Sequence, residues 1–306
     1  MALGFIASDA AMLAVQAGVV AAPRRAPEIP QLRRLSGPAW ALIPIGSIIG
    51  VIFAIRYVSG TATGLTYLAL VAVPLLAAAA LGWADRGARS WAALGAVPLF
   101  ALAWASRTSL AGEAAATLLS ALSCVTLGVL LATVTPPGWL KLGIVAMAVA
   151  DTWLVLSDLL QAPNATLVAA SPGSGLPQLQ SELFGSVSMG YGDLFVAALL
   201  GAVLAREGRR LGPTALLTLV LAGLFDLLFF VLNELPATVP VALALIVSEL
   251  WRRRGRGGEP APAGAGQCWS SPVAAGGRDS SASEVIASSP RAASSSTSVA
   301  SSAERE

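Results

Sequence analysis

The chain has 306 residues, of which 56% are hydrophobic and only 12% charged, with a mean hydropathy of +0.74. An ordinary soluble domain carries about 25% charged residues, so this composition excludes a water-soluble globular enzyme. No histidine is present, which excludes imidazole metal sites and Ser-His or Cys-His nucleophiles. The two cysteines, Cys124 and Cys268, form neither a metal-ligand spacing nor a disulfide framework. A net charge of +2 gives no reason to expect nucleic acid as a partner.

Nine apolar segments follow one another at roughly 3–22, 38–58, 64–83, 91–106, 114–134, 139–160, 185–205, 213–235 and 236–251. Each is near the ~20 residues that cross a ~30 Å hydrocarbon layer as a helix. The runs are continuous rather than alternating, which argues against a transmembrane barrel. The expectation is an all-α, polytopic membrane protein whose surroundings are the lipid bilayer. Segment one carries Asp9 and Gln16, and lacks the basic stretch that opens a signal peptide. Pro236 and Pro240 predict an irregular start to segment nine. The chain divides into N-terminal helices one to five (1–134), helices six to nine (135–256) and a Ser/Ala/Gly-rich tail (257–306). The tail has no helical apolar period and is expected to be disordered.

Arginine placement predicts the orientation. Arg24, Arg25, Arg33 and Arg34 lie between segments one and two, and Arg86 and Arg89 between three and four. Arg206, Arg209 and Arg210 follow segment seven, and Arg252, Arg253, Arg254 and Arg256 follow segment nine. If all nine segments span, these thirteen share one side, against Arg56 and Arg107 on the other. The positive-inside rule then places the N-terminus and the 162–184 loop outside, and the tail in the cytoplasm.

Carboxylates inside hydrocarbon are costly and point to function. Asp151 falls in the middle of segment six, Asp193 in the middle of segment seven and Asp226 in segment eight. Counted along antiparallel helices, Asp151 and Asp193 both lie roughly 12–15 Å below the outer boundary. Two adjacent helices can therefore bring them face to face. Such a pair shares one proton. One carboxylate activates a water, and its protonated partner polarises a peptide carbonyl and then assists the leaving amine. This chemistry calls for no metal and no cofactor. The alternative is that the acids serve helix packing or an ion pathway.

Segment seven reads Gly190-Tyr191-Gly192-Asp193, followed by Leu194-Phe195-Val196. This resembles the GxGD motif of the intramembrane aspartyl proteases, the presenilin and signal peptide peptidase family. Asp151 occupies the preceding helix, and Leu235-Pro236-Ala237-Thr238-Val239-Pro240, one helix further on, resembles the family's PAL motif. The resemblance covers roughly residues 139–251. It implies a presenilin-like fold of nine transmembrane helices and an aspartic endopeptidase with Asp151 and Asp193 as the catalytic pair. Gly190, Gly192, Pro236, Ala237 and Thr238 would then meet substrate. Glycines beside the acid let a neighbouring backbone approach, and broken helix bonding at the prolines leaves backbone for an unwound substrate. Close helix packing and a plain proline-led helix start are the structural alternatives.

Two positions depart from the family. Ala150 stands where the family has Tyr before its first Asp, and Thr238 where it has Leu, which puts substrate positioning in question. Asp158, nearer the membrane edge, is the fallback for the first acid, and Asp226 has no family role. The orientation matches the signal peptide peptidase branch, so the implied substrates are single-span segments with a cytoplasmic N-terminus, such as remnant signal peptides. The acceptor pattern Asn164-Ala165-Thr166 is taken as chance. Competing functions are a prepilin-type peptidase, whose motif continues with Lys where this chain has Phe195, a proton-coupled transporter, and an inert membrane scaffold. Substrate identity and oligomeric state are not set by the sequence.

Overall fold

A computed structural model describes residues 2–25, 37–58, 60–157, 165–166, 169–170, 176–179, 181–230 and 236–256. The described residues are mostly helical, at 82%. In chain order the helices are α1 (Ala2–Ala21), α2 (Ile43–Tyr57), α3 (Thr61–Ala79), α4 (Ala96–Ala105), α5 (Leu110–Val134) and α6 (Pro137–Leu156). The hairpin β1 (Ser181–Phe184) and β2 (Val187–Gly190) comes next, then α7 (Tyr191–Arg206), α8 (Leu211–Asp226) and α9 (Thr238–Arg256). Arg33, Arg34, Asp158, Asn164, Cys268 and the 257–306 tail lie outside the described residues.

Among the described residues four stretches are long and apolar enough to cross a membrane: Gly4–Ala21, Thr61–Ala84, Leu110–Val134 and Pro137–Leu156. Ser90–Ala105 and Leu211–Asp226 are apolar but shorter. Large side chains such as Leu75, Leu94, Trp153 and Leu156 are exposed on these helices. In water a surface of this kind drives association; in hydrocarbon it is solvated.

Local chemistry sets the boundaries. Ser109 caps α5, accepting a hydrogen bond from the Gly112 N–H at 3.3 Å. Pro137 opens α6, where its missing N–H costs nothing. Gly208, at φ +71°, ends α7. Its N–H donates to Ala205 O, and the Arg209 N–H reaches Leu204 O, the bond pair of a Schellman cap.

Two segments differ from expectation. The stretch 185–205 is not one helix, because residues 181–190 form an antiparallel hairpin in which Phe184 pairs with Val187. Gly185 supplies the positive φ, +62°, that a two-residue hairpin turn needs. Segment eight ends as an α-helix at Asp226 and tightens into a 3₁₀ turn, Leu227–Phe230.

The core sits around α7, whose residues Val196–Ala205 are all buried. It packs most extensively on α5, and also on α1, α6 and α9. The largest core cluster joins Val19 and Val20 of α1, Cys124 and Val129 of α5, Ile144 of α6 and Val241 of α9 to α7. The core therefore crosses the 134/135 division of the chain. Glycines permit this closeness. A Cβ at Gly201 would lie 2.3 Å from Val20 O, and one at Gly128 would lie 2.9 Å from Ala198 C. The Thr126 hydroxyl of α5 donates to Leu76 O of α3 at 2.7 Å, just before α3 widens into a π turn at Ala80–Ala84.

Polar groups tie one end of the bundle. Lys141 Nζ of α6 meets Glu207 Oε1 at 2.5 Å and Glu249 Oε1 of α9 at 2.7 Å. Arg209 reaches the same Glu249 oxygen at 2.9 Å and Ser248 O at 2.8 Å. Arg206 closes the end of α5 by donating to Ala132 O and Thr135 O. Lys141 and Asp151 are ten residues apart on α6, about 15 Å along its axis, so the acid-bearing end is the opposite one.

Adding a methyl group at the glycine contacts should lower stability. Gly201→Ala and Gly128→Ala should each cost about 1–3 kcal/mol through overpacking, read as a fall in thermal midpoint in detergent. Gly18→Ala is the control, since its Cβ meets nothing within 4 Å, and it should leave the midpoint unchanged or raise it.

Candidate active site

Asp193 is the third residue of α7, in its first turn rather than mid-helix. Gly190, the last residue of β2, is the N-cap. Its N–H donates to Asp193 Oδ2 at 3.2 Å, so the carboxylate folds back over the helix start. The hydrophobic pattern could not show this. Leu183, Phe184, Val187 and Met189 are as compatible with a helix as with a strand, and the turn at Gly185 decides.

The start of α7 is pinned to α5 and the hairpin to two helices. The Ser123 hydroxyl donates to Ser120 O at 2.7 Å, which leaves its oxygen to accept from the Tyr191 hydroxyl, also at 2.7 Å. The Cys124 thiol points at Tyr191 O, 3.7 Å away. At the hairpin tip the Gly185 N–H donates to Glu113 Oε2 of α5 at 2.7 Å. A Cβ at Gly185 would fall 2.3 Å from Ser8 Oγ, so the turn also rests on α1.

Asp151 lies five residues before the end of α6, not at mid-segment. That end and the start of α7 are the same end of the bundle, and the two carboxylates lie within electrostatic reach of each other. Both sit nearer the helix ends than the expected 12–15 Å, because α6 stops at Leu156 and α7 starts at Tyr191. Asp151 is held by α9. The Thr238 hydroxyl donates to Asp151 Oδ2 at 2.6 Å, and the Thr238 backbone N–H bonds the same carboxylate.

The PAL-like residues thus lie at the acid pair. Pro236 and Pro240 are buried, and Thr238, the first residue of α9, is 3% exposed. Pro240 has no N–H to give to Pro236 O, and the Val239 N–H takes that carbonyl instead at 3.2 Å. Ala237 O accepts from Gln16 Nε2 of α1 at 3.2 Å. The two glycines differ. A Cβ at Gly190 would press on Asp193 Oδ2 at 3.1 Å, whereas one at Gly192 meets nothing within 4 Å. Gly192 therefore leaves an exposed, open surface beside the acid.

Asp226 stands apart from this arrangement by its partner. It closes α8 and interacts with Asp9 of α1, while its Oδ2 stays buried with no hydrogen-bond partner among the described residues. Among the described residues no group of three or more acidic or cysteine side chains is arranged to hold a metal ion. Sequence reasoning missed Ser123 and the direct bond of Thr238 to Asp151. Gln16 was visible as an amide in an apolar run, but its partner is 221 residues away. The arrangement offers two carboxyls within electrostatic reach, a hydroxyl on one of them and open backbone beside the other. Compared with known proteins, the chain matches no protein-family model, no curated protein and no solved structure.

The Ser123–Tyr191 bond should be measurable on its own. Tyr191→Phe should destabilise the protein by about 1 kcal/mol. A double-mutant cycle with Ser123→Ala, followed by thermal unfolding, should show coupling of similar size.

Proposed function

We propose that the protein is an intramembrane aspartyl endopeptidase, with Asp151 and Asp193 as its catalytic pair and peptide bonds within transmembrane segments as substrate. The observation that carries this reading is the meeting of three separately identified segments at one place. The GxGD-like turn brings Asp193, the preceding helix brings Asp151, and the PAL-like segment touches Asp151 through Thr238.

The chemistry follows from the pair. One carboxyl carries a proton and the other does not. The unprotonated carboxylate takes a proton from a water molecule as the water oxygen attacks the scissile carbonyl carbon. The protonated partner donates to the carbonyl oxygen. Collapse of the tetrahedral species breaks the C–N bond, and a carboxyl returns a proton to the leaving nitrogen. A helical substrate hides its scissile carbonyl in its own hydrogen bonds, so it must unwind before attack. The open side of Gly192 and the edge of the hairpin leading into Asp193 give an extended chain room and backbone partners.

The nine-span, presenilin-like arrangement and the orientation belong to the same proposal. The Lys141, Arg206, Arg209 and Arg252 end lies opposite the acid pair. With that basic end in the cytoplasm, the N-terminus and the acid end face outward. Substrates with a cytoplasmic N-terminus, such as remnant signal peptides, fit this orientation. Reporter fusions in the 162–184 loop that read as cytoplasmic would overturn it.

One observation favours a second reading. The Asp9–Asp226 pair is another carboxyl couple within helices, of the kind that relays protons in transporters. A single preparation separates the two. Purified protein in detergent should cleave a synthetic signal-peptide helix within its apolar stretch. Asp151→Ala and Asp193→Ala should each lower the rate at least about 10²- to 10⁴-fold, the contribution of positioned acid–base groups. Proton-driven uptake in liposomes without any cleavage would replace the peptidase by the transporter.

A further inference from the structure

Gln16 is a polar side chain in an apolar helix, far from the motifs, and it is only 1% exposed. An amide buried there is retained at a cost unless it is hydrogen-bonded. Its partner is the carbonyl of Ala237, the residue immediately before Thr238, at 3.2 Å. Thr238 in turn holds Asp151 Oδ2 at 2.6 Å. A continuous set of contacts therefore runs from α1 through the start of α9 to one acid of the pair.

The start of α9 needs such a restraint. The N–H groups of its first turn have no partner within the helix, as at any helix start, and Pro240 offers none. The Ala237 peptide can then be set by an outside donor, and α1 supplies one. The orientation of that peptide fixes the Thr238 N–H and the direction of its side chain. A β-branched side chain has few χ1 choices, so the hydroxyl follows the backbone. Leucine at this position has no hydroxyl to offer. Thr238 is thus a polar handle on the acid.

We propose that Gln16 and Thr238 are positioning residues for Asp151: the Gln16 amide fixes the start of α9 through the Ala237 carbonyl, and Thr238 sets the carboxylate toward Asp193. This rests on the reading of Asp151 and Asp193 as a peptidase pair. It also makes α1 part of the machinery, although α1 carries none of the recognised motifs. The same helix supports the hairpin turn through Ser8, so both arms of the site lean on it.

The test uses the full-length protein in detergent and a synthetic signal-peptide helix as substrate, with kcat and KM measured separately. Thr238→Val keeps the shape and removes the hydroxyl; it should lower kcat roughly 10- to 100-fold, as expected for a misplaced catalytic group, with KM unchanged. Thr238→Ser restores the hydroxyl and should recover most of kcat. Gln16→Met keeps the length and removes the donor, and should lower kcat in the same way. The double variant Gln16→Met with Thr238→Val should be no slower than Thr238→Val alone, since both act on one contact line. Thermal unfolding of each variant separates misfolding from mispositioning. If Gln16→Met fails to fold, the Thr238→Val and Thr238→Ser pair still decides.

Wild-type kcat in Thr238→Val, with Asp151→Ala and Asp193→Ala inactive, overturns the positioning proposal and leaves the peptidase standing. A rise in KM at constant kcat also overturns it, because Thr238 would then serve substrate binding. Cleavage that survives Asp151→Ala, or no cleavage by the wild type, overturns the peptidase reading and this proposal together.

Discussion

Backbone-to-backbone contact around α7 carries the bundle. In hydrocarbon, helices gain little from burying apolar side chains, so association depends on close packing and hydrogen bonds. Gly201 lets the α1 backbone at Val20 lie against α7, and Gly128 lets α5 do the same at Ala198. With its surroundings held this tightly, α7 has no freedom to slide. Asp193, on its first turn, inherits that rigidity. The hydroxyl of Tyr191 on Ser123 and the Schellman cap at Gly208 fix its two ends.

The polar groups of the bundle are sorted by end. Cations and their carboxylate partners gather around Lys141, Glu207, Arg209 and Glu249. Carboxyls without cations gather at the other end, Asp151 within electrostatic reach of Asp193 and Asp9 beside Asp226. A buried carboxyl with no cation beside it needs hydrogen-bond donors. Asp151 finds them in Thr238 and Asp193 finds one in Gly190, whereas Asp226 keeps Oδ2 buried without a partner among the described residues. The first two lean on irregular backbone, at a hairpin exit and at a proline-broken helix start. Such backbone is tolerated at membrane depth only inside protein or along a wet cavity.

α1 has a larger part than its motif-free sequence suggests. It lies against α5, α7 and α8. Through Gln16 it reaches the start of α9, and through Ser8 it meets the turn of the hairpin. Two polar residues of this apolar helix have neighbours elsewhere: Gln16 meets Ala237 and Asp9 meets Asp226.

Composition and run length were enough to establish a mostly helical chain with stretches able to cross a membrane, since both depend on local hydrophobicity alone. Counting along antiparallel helices suggests that Asp151 and Asp193 lie near each other, but it treats 185–190 as helix where the structure has a hairpin. What only the tertiary structure decided is where each helix begins and what meets its end. Apolar residues at 183–189 satisfy a strand or a helix equally, and the positive φ at Gly185 with the supports from Glu113 and α1 selects the hairpin. The bonds from Gln16 to Ala237 and from Thr238 to Asp151 join residues 221 and 87 positions apart. No local pattern encodes such contacts, because they arise from how close the glycines of α5 and α7 allow the helices to come.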